Sequence, residues 1–252
     1  MECFYGYVVD NQVNDNGYIG ISLIISNNNT ILRNDACNQG IGLLLYMSHN
    51  NLIKGNTFNK NSADASLFLI YSDNNNISEN SLNYNHYGIV FWFSRDNIVT
   101  RNFFKFNDLG LNSGEGGYNN RIYLNCFSNN SLAATDDEGT NHWDNETSGN
   151  YWSDYTGVDS DENGIGDSPY NITRSIYNSE VTNQDNFPLM ECPLPAQEDN
   201  GDNDDNDDNG DNGDNGDVIP LELIIIISSI IGGAVIGVGT LLLIIRKRKR
   251  IE

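Results

Sequence analysis

The chain has 252 residues, a formal net charge of −22 and a pI near 4.1. This length permits one domain with attached segments. The acidic balance argues against nucleic acid as a partner, because phosphate recognition requires clustered Lys and Arg side chains.

A short phrase recurs five times between residues 29 and 125: Asn, any residue, an aliphatic residue, any two residues, Asn. The steps between its aliphatic anchors are 22, 24, 22 and 23 residues, and the anchors are Ile31, Ile53, Ile77, Val99 and Ile122. A fixed period in this range is the signature of a solenoid. A cramped earlier phrase at residues 11–16 places another anchor at Val13, only 18 residues before Ile31.

Each repeat is predicted to contain strands. Before each anchor, apolar residues alternate with a period of two, as in Leu43, Leu45 and Met47. This alternation is typical of a strand with one buried face. The period and the alternation together predict an all-β fold, a right-handed parallel β-helix of about five coils of 22–24 residues, over residues 1–132.

Polar columns run alongside the anchors. Stacked Asn amides at strand spacing can hydrogen-bond along the column, and Asn also tolerates the left-handed backbone of tight corners. A third column and a serine column are predicted at Gln39, Asn61, Asn85, Asn107 and Asn130, and at Ser26, Ser48, Ser72 and Ser94. These residues are interpreted as scaffold, so function is sought elsewhere.

The outward positions of the alternating strands are unusually apolar. They are Ile24, Tyr46, Ile70 and Trp92, flanked by Leu44, Phe68 and Val90. Such a strip indicates cover by another part of the chain, a protein partner, or sugar stacking. Sugar is less favoured because aliphatic side chains do not suit hydroxyl-rich ligands. The predicted binding residues are Tyr46, Phe68, Ile70 and Trp92. The Gly-rich run at 112–117 predicts that the fifth coil frays or loops out beside them.

The cysteines show no paired spacing. Cys37 and Cys126 lie four repeats apart, roughly 19 Å at strand spacing, which is too far for a disulfide. Both are predicted to be buried thiols, and Cys192 has no predicted partner.

An acidic loop at residues 159–167 has the spacing of a calcium-binding segment. Oxygen donors at its positions 1, 3, 5, 7 and 9 are Asp159, Asp161, Asn163, the Ile165 carbonyl and Asp167. This pattern matches the start of an EF-hand loop, but Tyr170 replaces the acid expected at position 12. The alternatives are a variant calcium site, with these five residues as ligands, and an acidic turn without metal.

The remaining sequence indicates a membrane anchor. Residues 196–218 form an acidic linker predicted to be disordered, and residues 219–246 contain the uncharged run Leu223–Ile245, long enough to span a bilayer. The basic tail at 247–252 predicts a cytoplasmic end, with the N-terminal domain outside a single-pass cell membrane protein. The N-terminus lacks a signal-peptide pattern, which favours a start inside a longer solenoid.

The motifs resemble a known family. Gly42–Leu45 followed by Ser48–Asn56 resembles a rung of the NosD-type β-helix, also called the carbohydrate-binding and sugar-hydrolase (CASH) repeat. Gly149–Tyr155, Gly164–Tyr170 and Asn186–Met190 resemble a module that closes archaeal members, so residues 133–195 are predicted to be a closing module. The family name implies copper, but the His and Met residues are not clustered, so calcium is the expected cofactor and copper is not.

These observations favour a non-catalytic protein that binds a polysaccharide or a surface protein. One alternative is a carbohydrate-active lyase, hydrolase or epimerase, which needs grouped carboxylates. No column of the repeat places two acids on adjacent coils. The other alternative, implied by the resemblance, is an accessory factor in copper handling.

Overall fold

The computed structural model describes residues 5–63 and 65–195. All helices and strands assigned in these residues are β-strands. The strands are numbered in chain order and form three sheets. The five anchor phrases and an earlier segment form a six-stranded sheet. Its strands are β1 (Tyr7–Val9), β3 (Thr30–Leu32), β5 (Leu52–Lys54), β7 (Asn76–Ser78), β10 (Ile98–Thr100) and β13 (Arg121–Tyr123).

The other two sheets complete each turn. The four-stranded sheet contains β8 (Ser81–Asn83), β11 (Phe103–Lys105), β14 (Cys126–Ser128) and β16 (Tyr151–Trp152). The eight-stranded sheet contains β2 (Gly17–Ile24), β4 (Gln39–Tyr46), β6 (Leu67–Ile70), β9 (Tyr87–Trp92), β12 (Leu109–Ser113), β15 (Leu132–Asp136), β17 (Tyr170–Ser175) and β18 (Asn178–Asp185). Successive turns pair in parallel, and β17 pairs with β18 in antiparallel fashion. The predicted parallel β-solenoid is therefore confirmed.

The solenoid has six turns, because one more turn precedes the five repeats. Val8 pairs with Ile31, which makes Val8 the anchor of the first turn. The prediction of Val13 as that anchor is wrong. The Val13 N–H instead donates to the carbonyl of Asp35 at 2.7 Å, and Asn11 lies level with Asn34, to which its amide donates at 2.8 Å. The first turn therefore keeps the 23-residue step to the second.

The core is a set of stacked columns. The five predicted anchors are fully buried, and so are the apolar residues five positions after them and the inward positions of the eight-stranded sheet. A stack of rings continues one column through the C-terminal turns. Phe104 packs on Phe127 and Phe127 on Trp152 at 4.5 Å between ring centroids, and Trp152 packs on Tyr170 at 4.2 Å. We call these four side chains the ring stack.

Three ladders of amide side chains connect the turns. One is the predicted column of Gln39, Asn61, Asn85, Asn107 and Asn130. The other two, the first and second asparagine ladders, consist of asparagine throughout. The first contains Asn29, Asn51, Asn75, Asn97, Asn120 and Asn141, and the second contains Asn34, Asn56, Asn80, Asn102, Asn125 and Asn150. In both ladders the backbone N–H of each Asn donates to the Oδ1 of the next, and most of the amide groups donate there as well. The ladders therefore have a direction, with donors pointing toward the C-terminal end.

The corners differ from the expectation in one respect. Up to Asn120 and Asn125, the left-handed backbone falls on the residue before each ladder asparagine, as at Asn50 and Asn74 with φ of 57° and 58°. The ladder residues themselves do not have positive φ. Their side chains point inward, where an amide satisfies the backbone groups of two turns.

The predicted membrane anchor lies in a part of the chain that the structure does not describe. Residues 5–63 and 65–195 contain no helix that is long and apolar enough to cross a bilayer. The predicted linker at 196–218, the span Leu223–Ile245 and the basic tail lie outside the described residues.

Candidate functional site

The predicted apolar strip lies on the outer face of the eight-stranded sheet. Tyr46 pairs in register with Ile70, and Ile70 pairs with Trp92. The alternating positions between them point into the core, where Leu69 and Phe91 are fully buried. We define the strip as Ile24, Leu44, Tyr46, Phe68, Ile70, Val90 and Trp92.

The centre of the strip is shielded and its margin is open. Tyr46, Phe68 and Ile70 are only 5–6% exposed, whereas Ile24 is 42% exposed and Trp92 is half-buried. Phe68 stacks on Trp92 at 6.2 Å, and Trp92 stacks on the corner residue Phe93 at 6.3 Å. The structure therefore gathers the four predicted binding residues into one patch, with Trp92 as its most accessible ring.

The glycine run beside the strip forms a loop, which is one of the two predicted alternatives, and the fifth coil does not fray. β12 extends to Ser113, which pairs with Phe91 and Asp136. A tight turn follows, closed by a bond from the Gly117 N–H to the Gly114 carbonyl at 2.9 Å. Gly116 has φ of +68°, and a Cβ there would lie 2.5 Å from the ring of Phe93. Glycine thus lets this turn pack on that ring and bound the strip.

The acidic loop brings its predicted carboxylates together. One oxygen from each of Asp159, Asp161 and Asp167 lies within 4.8 Å of the others. The N–H groups of Gly164 and Asn163 donate to Asp159 at 2.8 and 3.1 Å, and φ of +87° at Gly164 allows the chain to turn there. The three aspartates therefore converge as the sequence pattern predicts.

Ile165 also has the orientation expected of a backbone ligand. It forms an antiparallel bridge with Leu189, flanked by bonds from Gly166 N to Pro188 O at 2.8 Å and from Met190 N to Gly164 O at 3.0 Å. In such a pair the central residue's N–H and C=O point away from the partner strand. The Ile165 N–H accordingly donates to Asn163 Oδ1 at 2.8 Å, and its carbonyl points away from Leu189.

The charge state of the loop suits a cation. Desolvation acts to raise the pKa of Asp159, but N–H donation from Gly164 and Asn163 outweighs it and holds the pKa below its usual value. A carboxylate that is ionised throughout the physiological range, beside two others, favours a hard cation with oxygen ligands.

A closing segment, residues 185–192, holds this loop against the end of the solenoid. Besides its bonds to the loop, the segment accepts the Gly149 N–H at Phe187 O and donates from Leu189 N to Asn150 O, at 2.8 and 2.9 Å. It ends in a disulfide between Cys192 and Cys126.

The prediction that Cys126 is a free thiol is therefore wrong. Cys192 is 66 residues from Cys126 in the sequence, and the closing segment places it beside β14. Cys37, in contrast, is free, and burial raises the pKa of its thiol to about 12.

Two buried aspartates complete the closing module. Asp136 Oδ1 accepts the Asn141 amide at 2.8 Å, and Asp136 Oδ2 accepts the Trp143 indole N–H at 3.1 Å. Asp185 Oδ2 accepts the Asn150 backbone N–H at 2.7 Å and the Trp152 indole N–H at 2.9 Å. The sequence analysis predicts neither carboxylate. Continuing the asparagine period beyond Asn125, however, predicts Asn141 and Asn150, which are the ladder residues that these carboxylates contact.

A match to a known protein family agrees with the β-solenoid fold. A family model described as periplasmic copper-binding protein (NosD) matches residues 5–157, more than half of the chain. The chain belongs to the NosD family. No curated protein matches it. The NosD match ends just before Asp159, so the acidic loop and the closing segment lie beyond the matched residues.

In residues 5–63 and 65–195 of this NosD-family chain, no three His or Cys side chains converge as copper ligands would. His49 Nδ1 accepts the Asp73 N–H at 3.0 Å, which places the ring proton on Nε2, the other metal-binding atom. The thiol of Cys37 is held protonated, and Cys126 is in a disulfide. Among residues 5–63 and 65–195, the acidic loop supplies the group of three or more His, Cys, Asp or Glu that converge as metal ligands do. That group contains only oxygen donors, which do not suit copper.

Proposed function

We propose that this NosD-family chain is a non-catalytic, extracytoplasmic binding protein that docks another surface protein through the apolar strip. The family is described as periplasmic, and this chain also contains the predicted membrane span Leu223–Ile245. That span would hold the solenoid at the outer surface of a membrane, with the basic tail inside.

The observation that carries the proposal is the outward register of apolar side chains on four successive turns. Ile24, Tyr46, Ile70 and Trp92 follow one another in register on this face. The open margin adds the corner residue Tyr71, which is 41% exposed and stacks on Phe93 at 5.0 Å. A contiguous apolar patch with accessible aromatic rings is typical of a protein-binding surface.

The test replaces Trp92 by Ser in the full-length chain, with Val181→Ser as a matched control on exposed β18. Both proteins are first checked for folding by circular dichroism and then titrated with fractionated envelope proteins and envelope polysaccharides. A folded Trp92→Ser protein that loses a defined protein partner, which the control retains, supports the proposal. Unfolding of Trp92→Ser, or unchanged partner binding, contradicts it.

A polysaccharide is the second candidate ligand of the strip, favoured by its aromatic rings. Phe68 and Trp92 are nearly parallel, with 13° between their planes. Their stacking covers part of each ring face, and the flanking Leu44 and Val90 are aliphatic, so the protein partner is preferred. Loss of polysaccharide binding alone in Trp92→Ser would favour this second candidate.

We further propose that the acidic loop binds calcium and thereby stabilises the closing module. Asp159, Asp161, Asn163, the Ile165 carbonyl and Asp167 are the proposed ligands. The support is the convergence of three carboxylates, together with an Ile165 carbonyl that points away from Leu189. A bound cation would offset the repulsion among these charges and fix the loop against the closing segment.

A further inference from the structure

An Asn–Gly pair, Asn163–Gly164, lies exposed in the acidic loop. The backbone nitrogen of Gly164 follows the Asn163 side chain directly in the sequence, and glycine has no Cβ to obstruct it. Gly164 has φ of +87°, and apart from its chain neighbours no heavy atom lies within 4 Å of the place that a Cβ would take. Water and the Gly164 nitrogen can therefore both reach the Asn163 side chain.

The Gly164 nitrogen has a carboxylate in contact with its proton. Its N–H donates to Asp159 Oδ2 at 2.8 Å. The other oxygen, Asp159 Oδ1, accepts the Asn163 N–H at 3.1 Å, so the carboxylate is held on both sides of the Asn163–Gly164 peptide bond. A carboxylate in this position can accept the amide proton while the nitrogen attacks a carbonyl carbon.

The side-chain amide of Asn163 is polarised at both of its ends. Its Oδ1 accepts the Ile165 N–H at 2.8 Å, and its Nδ2 donates to Asp161 Oδ2 at 3.0 Å. An N–H donor at the carbonyl oxygen stabilises the negative charge that develops there when Cγ is attacked. A carboxylate at Nδ2 stabilises the positive charge that develops on a departing nitrogen. The loop thus provides a contact for the nucleophile, the carbonyl oxygen and the leaving group.

The closing segment holds these groups in place from outside the loop. The Gly164 carbonyl accepts the Met190 N–H at 3.0 Å, and Ile165 forms its bridge with Leu189. Groups fixed in a reactive arrangement react faster than mobile ones, because less entropy is lost on the way to the transition state. The folded loop should therefore differ in reactivity from the same sequence in an unfolded chain.

We propose that Asn163 is a self-modification site, at which the folded loop promotes loss of the side-chain amide. The Gly164 nitrogen forms a bond to Asn163 Cγ, and its proton passes by way of Asp159 to the departing nitrogen. The bond from Cγ to Nδ2 breaks and ammonia leaves. Water then opens the cyclic imide at either of its carbonyls, which gives an aspartyl or an isoaspartyl residue. Water is the co-reactant, and no atom is oxidised or reduced.

Either product changes the third ligand position of the acidic loop. The aspartyl product adds a negative charge beside Asp159 and Asp161. The isoaspartyl product also adds a charge, and it lengthens the main chain by one carbon at the turn that Gly164 makes. The charge and the path of the loop are therefore expected to change as the protein ages, whether or not the loop binds calcium.

A second exposed Asn–Gly pair, Asn16–Gly17, provides the comparison. Gly17 has φ of +89°, and the place of its Cβ is equally open. Gly17 is, however, the first residue of β2 and pairs with Gln39, and the Asn16 N–H donates to Gln39 Oε1 at 3.0 Å. These contacts hold the backbone of the pair against the next turn. We therefore expect folding to slow loss of the amide at Asn16 and to accelerate it at Asn163.

The test incubates the full-length chain at neutral pH with a chelator, once folded and once unfolded in urea. Chymotrypsin should release residues 156–170, in which Asn163 is the only asparagine, and residues 8–18, which contain Asn16. Mass spectrometry with fragmentation then measures the fraction of each asparagine that has become an acid over time. The variant Asp159→Ala removes the carboxylate at the Gly164 N–H. Glu162→Ala is the matched control, because it removes one charge from an exposed residue beside Asn163.

In the folded protein Asn163 is expected to react about fivefold faster than in urea, and Asn16 about tenfold slower than in urea. Asp159→Ala should slow Asn163 by about fivefold or more in the folded protein, whereas Glu162→Ala should leave its rate unchanged. If Asp159→Ala does not fold by circular dichroism, the folded and unfolded rates of the wild type decide the question. Asn163 reacting no faster folded than unfolded, or equal rates in the two folded variants, overturns the proposal.

Discussion

The carboxylate of Asp185 accepts the backbone N–H of Asn150 at 2.7 Å, at the C-terminal end of the second asparagine ladder. Every earlier asparagine of that ladder donates to the amide oxygen of the next turn, and Asn150 has no further asparagine to receive its N–H. Asp136 has the same relation to Asn141 in the first ladder, because its Oδ2 accepts the Asn141 backbone N–H at 3.3 Å. Both ladders therefore end on a buried carboxyl group that accepts N–H donors, where an asparagine would present further donors.

Removing this acceptor should destabilise the protein. Asp185→Ala leaves the N–H groups of Asn150, Phe187 and the Trp152 indole without their partner. We expect a loss of about 2–4 kcal/mol in the free energy of unfolding, measured by urea denaturation. Asp10→Ala is the control, because Asp10 is in an exposed ion pair with Arg33 and should change stability little. Equal effects of the two substitutions would contradict the role of Asp185 as the end of the ladder.

Asp185 should also give the protein an identifiable pH dependence. Burial raises its pKa to about 6, against N–H bonds that lower it, from a usual value of 3.8. The folded state therefore binds this proton more tightly than the unfolded state. The resulting stability is fully present below about pH 4 and is lost as pH rises through about 6.

From about pH 7 to pH 5, this group should add about 1 kcal/mol to the free energy of unfolding of the wild-type protein. Asp185→Asn cannot titrate and should lack this increment, while the three histidines contribute equally to both curves. Parallel pH profiles for the two proteins would show that Asp185 does not titrate in this window.

The disulfide should stabilise the closing segment specifically. Replacing both Cys126 and Cys192 by Ser is expected to lower the free energy of unfolding by about 2–4 kcal/mol. Limited proteolysis should then produce new cuts within residues 185–195, because the segment loses its covalent attachment to β14. A reductant should reproduce the effect in the wild type and in Cys37→Ser. Cleavage that begins in the solenoid instead would indicate that the closing segment is held by its hydrogen bonds alone.

A ladder asparagine should tolerate substitution far less than an exposed one in the same turn. Asn80 is fully buried, accepts two bonds from Asn56, and donates to Ile53 O and Asn102 Oδ1. Asn80→Ala leaves several buried groups unsatisfied and should cost about 3 kcal/mol or more in thermal or urea unfolding. Asn76→Ala, at an exposed position of β7, should be nearly neutral. A small effect at Asn80 would mean that the ladder amides are not essential to the stack.

The repeat could be recognised from the sequence because each turn places the same residue types at the same positions. The anchors Ile31 to Ile122 and the outward register of Trp92 follow directly from the 22–24-residue period. The first turn was misplaced because Val8 lacks the flanking asparagine phrase, so the more polar stretch around Val13 matched the pattern better. In the first turn, the pairing of Val8 with Ile31 and the bond from Asn11 to Asn34 define the register, although the asparagine phrase is incomplete.

The closing module was predicted less well, because its contacts join segments that have no repeat. The acidic loop was found because its ligands lie within nine residues, so a local motif suffices. The Cys126–Cys192 pair and the Asp185 contact depend on how a segment far along the chain returns to the last turn. Such a contact between distant segments cannot be predicted from residue spacing, because no repeat relates the two segments.

The metal chemistry of the chain tests the account most directly. Isothermal titration of the full-length protein with calcium, and separately with copper, distinguishes the proposed hard-cation site from the copper binding that the family description states. Asp161→Ala, compared with the wild type, separates the acidic loop from other acids of the chain.

The account predicts one calcium site per chain in about the 10⁻⁴–10⁻³ M range, abolished by Asp161→Ala, and no saturable copper site. A saturable copper site that is lost on replacing a histidine, with no calcium binding at the loop, would contradict it.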